Sequence, residues 1–300
     1  MSPQVVFLFF HYGKIPGYLS HSIEHVRTFN PDAEIHLITD GIKDASRLDI
    51  FNIRKFRIEE FQSEALQQFK KAYRHISCFD EKFERFVLER WFVTETIRKS
   101  NPNPIYVMLD SDVAVFGDAS ALLGKLPDCP ICMGGDNPHF TFIRKSISDF
   151  LAFITGVYND PEKLEASREL HLRHKSGDTI YNLGEMEFLD LYMKQSSNMQ
   201  NYERQTPDGY VDSNIHRTEG FDSLKLRRRH RKIVVWRQEN GVNIPYLKKG
   251  DDLVRAFLLH FQGPGKRVFY RFNGGGLFNS KAGLFLLNQI FQSKTIANVL

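Results

Sequence analysis

Cysteine is scarce in this chain: Cys78, Cys129 and Cys132 are the only three in 300 residues. Three thiols cannot build a disulfide framework, and so low a count fits a reducing compartment. Cys129-Pro130-Ile131-Cys132 has Cys-x-x-Cys spacing but no second pair to complete a zinc site, so both thiols are expected in the core beside a strand. A long hydrophobic run is missing as well. The apolar stretch from Val5 to Phe10 is far shorter than the roughly 20 residues that span a bilayer. No basic segment with a small-residue cleavage site accompanies it, so no signal peptide is expected and the expected location is the cytoplasm. A strong excess of one charge is missing too, with 40 Lys and Arg against 36 Asp and Glu, a net +4. That balance does not by itself imply nucleic acid; it is compatible with anionic substrates or a loose attraction to acidic membranes. Internal repeats, low-complexity linkers and breaks in composition are also lacking. The simplest reading is one domain over residues 1–300, with 268–300 as a helical extension packed on it.

What the chain has in plenty is phenylalanine, 26 copies, which predicts an aromatic core and an aromatic ligand cleft. Its patterning predicts an α/β protein. Gln4 to Phe10 has the continuous apolar character of a strand buried on both faces, and Leu19, Ile23 and Val26 recur at helical spacing until Asn30-Pro31. Glu34 to Thr39 reads as the next strand, so the chain opens as a βαβ unit and predicts parallel pairing. A short edge strand is expected within Ile50 to Phe56, and a long helix from Phe79 to Lys99, stopped by Asn101-Pro102-Asn103-Pro104. Pro130 to Met133 predicts a short strand, Ile147 to Tyr158 a helix, and Asp160 to Lys175 an exposed helix or mobile segment. A helix from Asn182 to Lys194, strands at Ile233–Trp236 and Phe257–Phe261, and a terminal helix over Ala282–Leu300 complete the pattern.

One stretch organises the rest. Ile105-Tyr106-Val107-Met108-Leu109 is a buried-type strand that ends in Asp110-Ser111-Asp112, after which the chain turns apolar again. Ligands of open α/β sheets bind at the carboxyl ends of such strands. Two carboxylates side by side in a partly buried place repel, and a hard divalent cation such as Mg²⁺ or Mn²⁺ removes that cost while bridging to substrate phosphates. The competing reading is a plain surface turn. Some 150 residues later, His260 closes an apolar strand, offering an imidazole suited to the same metal. Gly263 and Gly265 would let backbone amides approach an anion, and Lys266 would balance phosphate charge.

Asp110-x-Asp112 with the later His260-x-x-Gly263-x-x-Lys266 resembles the metal and diphosphate motifs of GT-A glycosyltransferases, most nearly the retaining family that includes glycogenin and bacterial lipopolysaccharide galactosyltransferases. The resemblance runs from the first strand to Arg267. It implies a Rossmann-like mixed sheet flanked by helices and a nucleotide-sugar donor, UDP-linked by family habit. It implies a glycan or lipid-linked acceptor, and Mn²⁺ or Mg²⁺ on Asp110, Asp112 and His260. By the same resemblance Lys266 and Gly263 meet the diphosphate and Ser111 lies beside the donor. His11 and Tyr12 hold the base, Arg90 (with Arg85 second) touches the donor sugar, and Asp178 of Asp178-x-x-x-Asn182 stands near the reacting sugar. For Asp178 a helix N-terminal cap fits almost as well. The sequence departs from the family in having Arg267-Val268 after the lysine, where proline and an aromatic are usual.

Two other classes remain open in the residues. A sugar-1-phosphate nucleotidyltransferase also uses metal-binding acids, but His11-Tyr12-Gly13-Lys14 offers one glycine where a triphosphate cradle needs several. A binding protein would use the basic run Lys225 to Lys232, either as a grip on anionic lipid or nucleic acid or as a solvated loop. No recognisable nucleic-acid module surrounds that run, so the expected contact is peripheral, with a membrane that carries the acceptor. For an inverting mechanism, Asp178, Glu185 and Asp212 are available as general bases.

Overall fold

The computed structural model describes residues 4–41, 46–135, 137–170, 172–175, 178–181, 183–226, 229–263, 265–267 and 269. The expected helix over Ala282–Leu300 lies outside these residues. Strand β1 (Val5–His11), helix α1 (Gly17–Phe29) and strand β2 (Glu34–Thr39) form the opening βαβ unit, and β3 (Arg54–Arg57) adds an edge. Helices α2 (Glu64–Ala72) and α3 (Glu81–Ser100) precede β4 (Ile105–Leu109), followed by the short β5 (Val113–Val115). Next come β6 (Ile131–Met133), β7 (Phe140–Ile143), α4 (Ser148–Asn159), α5 (Pro161–Leu170), β8 (Leu172–Lys175) and β9 (Asp178–Tyr181). The remainder is α6 (Glu185–Gln195), β10 (Met199–Asn201), β11 (Gln205–Thr206) and β12 (Gly209–Val211), then the hairpin β13 (Ser223–Leu226) and β14 (Arg229–Lys232). Strands β15 (Val234–Glu239), β16 (Val242–Lys249) and β17 (Asp252–His260) close the described chain.

The main sheet has seven strands in the order β10-β6-β7-β4-β1-β2-β3. β3, β2, β1 and β4 run parallel, but β7 lies antiparallel between β4 and β6. The sheet is therefore mixed, which the parallel pairing of the opening unit alone does not reveal. Its strands are apolar throughout because both faces are covered. Val5, Phe7 and Phe9 pack with Leu19, Ile23 and Val26 of α1, while Val6, Leu8 and Phe10 face α2, α3, α4 and α6. Asp80 starts α3 by accepting the Phe83 N–H at 3.1 Å, so that helix begins two residues later than its apolar pattern does.

A second sheet runs β11-β12-β17-β16-β15, with β5 also paired to β17. The chain leaves the first sheet at the end of β4 and enters the second at β5. Asp110-Ser111-Asp112 is the turn between them, closed by the Val113 N–H on the Asp110 carbonyl at 3.2 Å. No helix among the described residues is long and apolar enough to cross a membrane.

Candidate active site

The antiparallel register of β5 and β17 sets His260 opposite Val113, and the Phe261 N–H donates to the Asp112 carbonyl at 2.9 Å. Strand pairing thus brings together residues almost 150 positions apart. Ligand atoms of Asp110, Asp112 and His260 all lie within 4.8 Å of one another. The set, two carboxylates and one imidazole, is the donor chemistry that Mn²⁺ or Mg²⁺ takes. His260 Nδ1 lies 2.6 Å from the Ser213 carbonyl, which can only accept, so Nδ1 carries the proton. Its Nε2 is buried, has no hydrogen-bond partner, and stands 3.5 Å from Asp112 Oδ1. An orphaned imidazole nitrogen beside two carboxylates fits a cation between them.

The electrostatics agree with that arrangement. Burial works against charge on both Asp112 and His260, yet their mutual attraction outweighs it. Asp112 is held below the ordinary carboxylate range by His260 and Lys266, and His260 is raised by Asp112. Lys266 Nζ lies 3.3 Å from Asp112 Oδ2, about two-fifths exposed, with the Tyr18 ring 5.5 Å beneath it. His139 is fully buried and stacks flat on His260, with ring centres 4.6 Å apart and planes at 7°. Its carbonyl accepts the Asp110 N–H at 3.0 Å, so one residue steadies two members of the site.

Arg90 reaches the site from α3. Its Nη1 donates to Asp110 Oδ1 at 2.9 Å, while Nε and Nη2 each meet Glu185 at 2.7 Å. Trp91 Nε1 adds a third bond to Glu185 at the start of α6. A bidentate fork of this kind is the strong form of an ion pair. The guanidinium is raised above its ordinary value: burial opposes this, and Glu185 and Asp110 override it. Glu84 accepts the Glu185 N–H and Glu187 accepts the Gly184 N–H, so the α6 N-terminus is covered by carboxylates.

Most of these groups, though not the buried His139 and Trp91, line a cleft of about 560 Å³. His11, Tyr12, Arg90, Asp110, Ser111, Asp112, His260 and Lys266, all expected from sequence, stand on its wall. Gly263 does not. It takes a φ of +61° in the turn after β17, and the amides beyond it are spent within that turn: Gly265 on the Gln262 carbonyl, Lys266 on the Gly263 carbonyl. Arg85 also points elsewhere, pairing with Glu89 at 3.3 Å. Asp178 begins strand β9, not a helix, which removes the capping alternative; its side chain lies outside the described residues, as does Asn182. The turn after β1 is held by His11 Nε2 on the Lys14 carbonyl and is tied to the end of β2 by the Gly13 N–H on Asp40.

Of the three carboxylates weighed as general bases, Glu185 is taken by Arg90 and Trp91. Asp212 is fully buried and paired with Lys232. Lys232 is itself a correction. The basic run was expected at the surface, yet this residue, its last, has no exposed side chain. It is paired inward because β14 turns it toward the acids of the second sheet. Phe79, Phe83 and Met186 form an apolar rim on the cleft that the sequence pattern did not single out.

No family model matches this chain, and no curated protein matches it. Several solved structures are similar to it. Mouse xyloside xylosyltransferase 1 in its apo form is 7% identical, with a TM-score of 0.44 over 67% of this chain and 84% of that one. The galactosyltransferase LgtC, in complex with donor and acceptor sugar analogs, is 15% identical with a TM-score of 0.38 over 62% and 69%. An active-site mutant of LgtC is 13% identical with a TM-score of 0.48 over 90% and 95%. At these identities and scores, the functional reading rests on the geometry of the cleft itself.

Proposed function

We propose that this protein is a metal-dependent glycosyltransferase of the GT-A kind. It would move a sugar from a nucleoside-diphosphate sugar, a UDP-sugar by family resemblance, to a hydroxyl of a glycan, glycolipid or glycoprotein, with retention. The observation that carries the reading is the convergence of Asp110, Asp112, His260 and Lys266 in one cleft. Mn²⁺ or Mg²⁺ held by the two aspartates and His260 would supply the charge stabilisation that a departing diphosphate needs. Lys266, half-exposed on the same wall, supplies the second positive charge to that diphosphate. Arg90 keeps Asp110 oriented and presents its fixed guanidinium beside the donor sugar, with Ser111 between the aspartates. His11 and Tyr12, at the end of β1, are placed for the base.

Retention is supported by the state of the carboxylates. Those described on the cleft wall, Glu84, Asp110, Asp112, Glu185 and Glu187, all hold other groups, so none is free to act as a general base. In this reading the departing diphosphate takes the acceptor proton, and the family resemblance assigns Asp178 to the reacting sugar. Three of the four exposed large hydrophobic side chains among the described residues, Phe79, Phe83 and Met186, stand on the cleft rim, which suits an acceptor with an apolar face. A membrane-borne acceptor remains part of the proposal through exposed Lys225 and His230, without Lys232.

The test is a hydrolysis panel of nucleotide sugars with Mn²⁺ and no acceptor, scoring released nucleoside diphosphate. Turnover of one donor, abolished by EDTA and by Asp112→Ala, is expected. Silence across the panel, with no donor binding by calorimetry, would refute the reading.

A further inference from the structure

Lys232 ends a basic run, yet its ammonium group is fully buried behind the metal-binding residues. Each of its three donors has a partner: Asp212 Oδ1 and Glu219 Oε2 at 2.5 Å, and the Asn214 carbonyl at 3.3 Å. The rings of Tyr210 and Phe221 flank it at 5.6 and 5.5 Å. Burying a lysine costs several kcal/mol even when it is paired, and apolar residues of similar size often fill such a place more stably. A buried cation held this completely therefore calls for a use.

Its partners supply one. Asp212 spends its other oxygen, Oδ2, on the main-chain N–H of His260 at 3.1 Å. The next residue offers its carbonyl to His260 Nδ1 at 2.6 Å. Residues 212–214 thus hold His260 from one side and Lys232 from the other. Glu219 braces the same segment by accepting the Ser213 hydroxyl at 2.7 Å, with Arg204 Nη1 donating to both. The Lys232 N–H is fixed in turn on the Ile215 carbonyl at 2.9 Å.

We propose that Lys232 is a positioning residue for the metal centre. It locks residues 212–214 so that His260 stays in its Nδ1–H tautomer, with the bare Nε2 aimed at Asp110 and Asp112. An apolar side chain at 232 would leave Asp212 buried without a cation. The carboxylate would then shift or take up a proton, and the ring would lose the frame that sets its orientation. The inference rests on the metal reading above, but the tautomer can be measured without metal.

The experiment uses the full chain labelled with ¹⁵N-histidine. The His260 tautomer is read by NMR without metal, at alkaline pH where the ring is neutral, and Mn²⁺ affinity by calorimetry, in the parent, Lys232→Met and Leu151→Ala. The parent is expected to show Nδ1–H and to bind Mn²⁺. Lys232→Met is expected to mix the tautomers and bind Mn²⁺ roughly 10–100-fold more weakly, the usual cost of losing an outer-shell partner. Leu151→Ala, a core residue of α4 that does not line the cleft, is expected to melt earlier with parental tautomer and Mn²⁺ affinity, which separates positioning from general damage. If Lys232→Met does not fold, Asp212→Asn takes its place with the same expectation. Parental tautomer and affinity in the Lys232 or Asp212 variant overturns the inference. A parent that keeps the tautomer but binds no Mn²⁺ overturns the metal reading, and the inference falls with it.

Discussion

Arg90, with 8% of its side chain exposed, is shared between two carboxylates of different use: Asp110 faces the cleft and Glu185 anchors the guanidinium. Replacing it with Met strands Glu185 in a buried place and releases Asp110. A loss on the order of 3–5 kcal/mol in urea unfolding is expected for Arg90→Met, and Arg90→Lys recovers only part of it because an ammonium cannot form the fork. Glu219 carries an acid-stability signature. Burial opposes its ionisation, but Lys232, Ser213 and Arg204 hold its carboxyl down at about 2, from an ordinary 4.5. A carboxyl lowered in the folded state stabilises above its unfolded value and loses that contribution as pH falls through the folded one. Stability worth about 3 kcal/mol should therefore drain away between about pH 4.5 and 2, and acid unfolding of Glu219→Gln should lack that component. At this scale the candidate metal and phosphate residues were legible, because Asp-x-Asp and a late histidine with lysine are what that chemistry demands. The pairing of Glu185 with Arg90, the inward turn of Lys232 and the part played by His139 were not, since a partner 95 residues away, as Glu185 is from Arg90, leaves no local mark.

The element that makes the site is the β4–turn–β5 crossing, clamped by the end of β17. Sequence pattern revealed β4 and the last four residues of β17, Phe257–His260, because both are buried apolar runs. It did not reveal β7, four residues long, or α2. In the second sheet the start of β15 was read at Ile233–Trp236, but β16 was not, since it carries Pro245 and two lysines and is only partly buried. The parallel βαβ opening also gave no sign that β7 would insert antiparallel. Strand β12 carries Asp212 and Ser213 toward His260 and depends on Gly209, whose φ is +133°. A Cβ there would lie 2.8 Å from the Phe257 nitrogen and 2.9 Å from the Arg255 carbonyl oxygen, main-chain atoms that cannot move aside. Gly209→Ala should cost about 1–3 kcal/mol from backbone strain alone, more with the clash, and urea denaturation would measure it.

At the scale of the whole molecule, two sheets meet along one seam, and the candidate metal ligands lie on it: Asp110 just past the end of β4, the central strand of the first sheet, His260 at the end of β17 in the second, Asp112 between them. A cation bound there ties the sheets together, so it should stabilise the native state as well as serve chemistry. With free Mn²⁺ at a hundred times its dissociation constant, unfolding free energy should rise by about 2.7 kcal/mol. EDTA should reverse the rise, and His260→Ala should not show it.

The most direct test of the account is calorimetric titration of UDP into the protein, with Mn²⁺ and again with EDTA, in the parent, His260→Ala and Lys266→Ala. The account predicts Mn²⁺-dependent binding in the parent, loss of that dependence in His260→Ala, and weakened binding in Lys266→Ala. UDP binding of equal strength with Mn²⁺ and with EDTA, unaffected by either substitution, would contradict it.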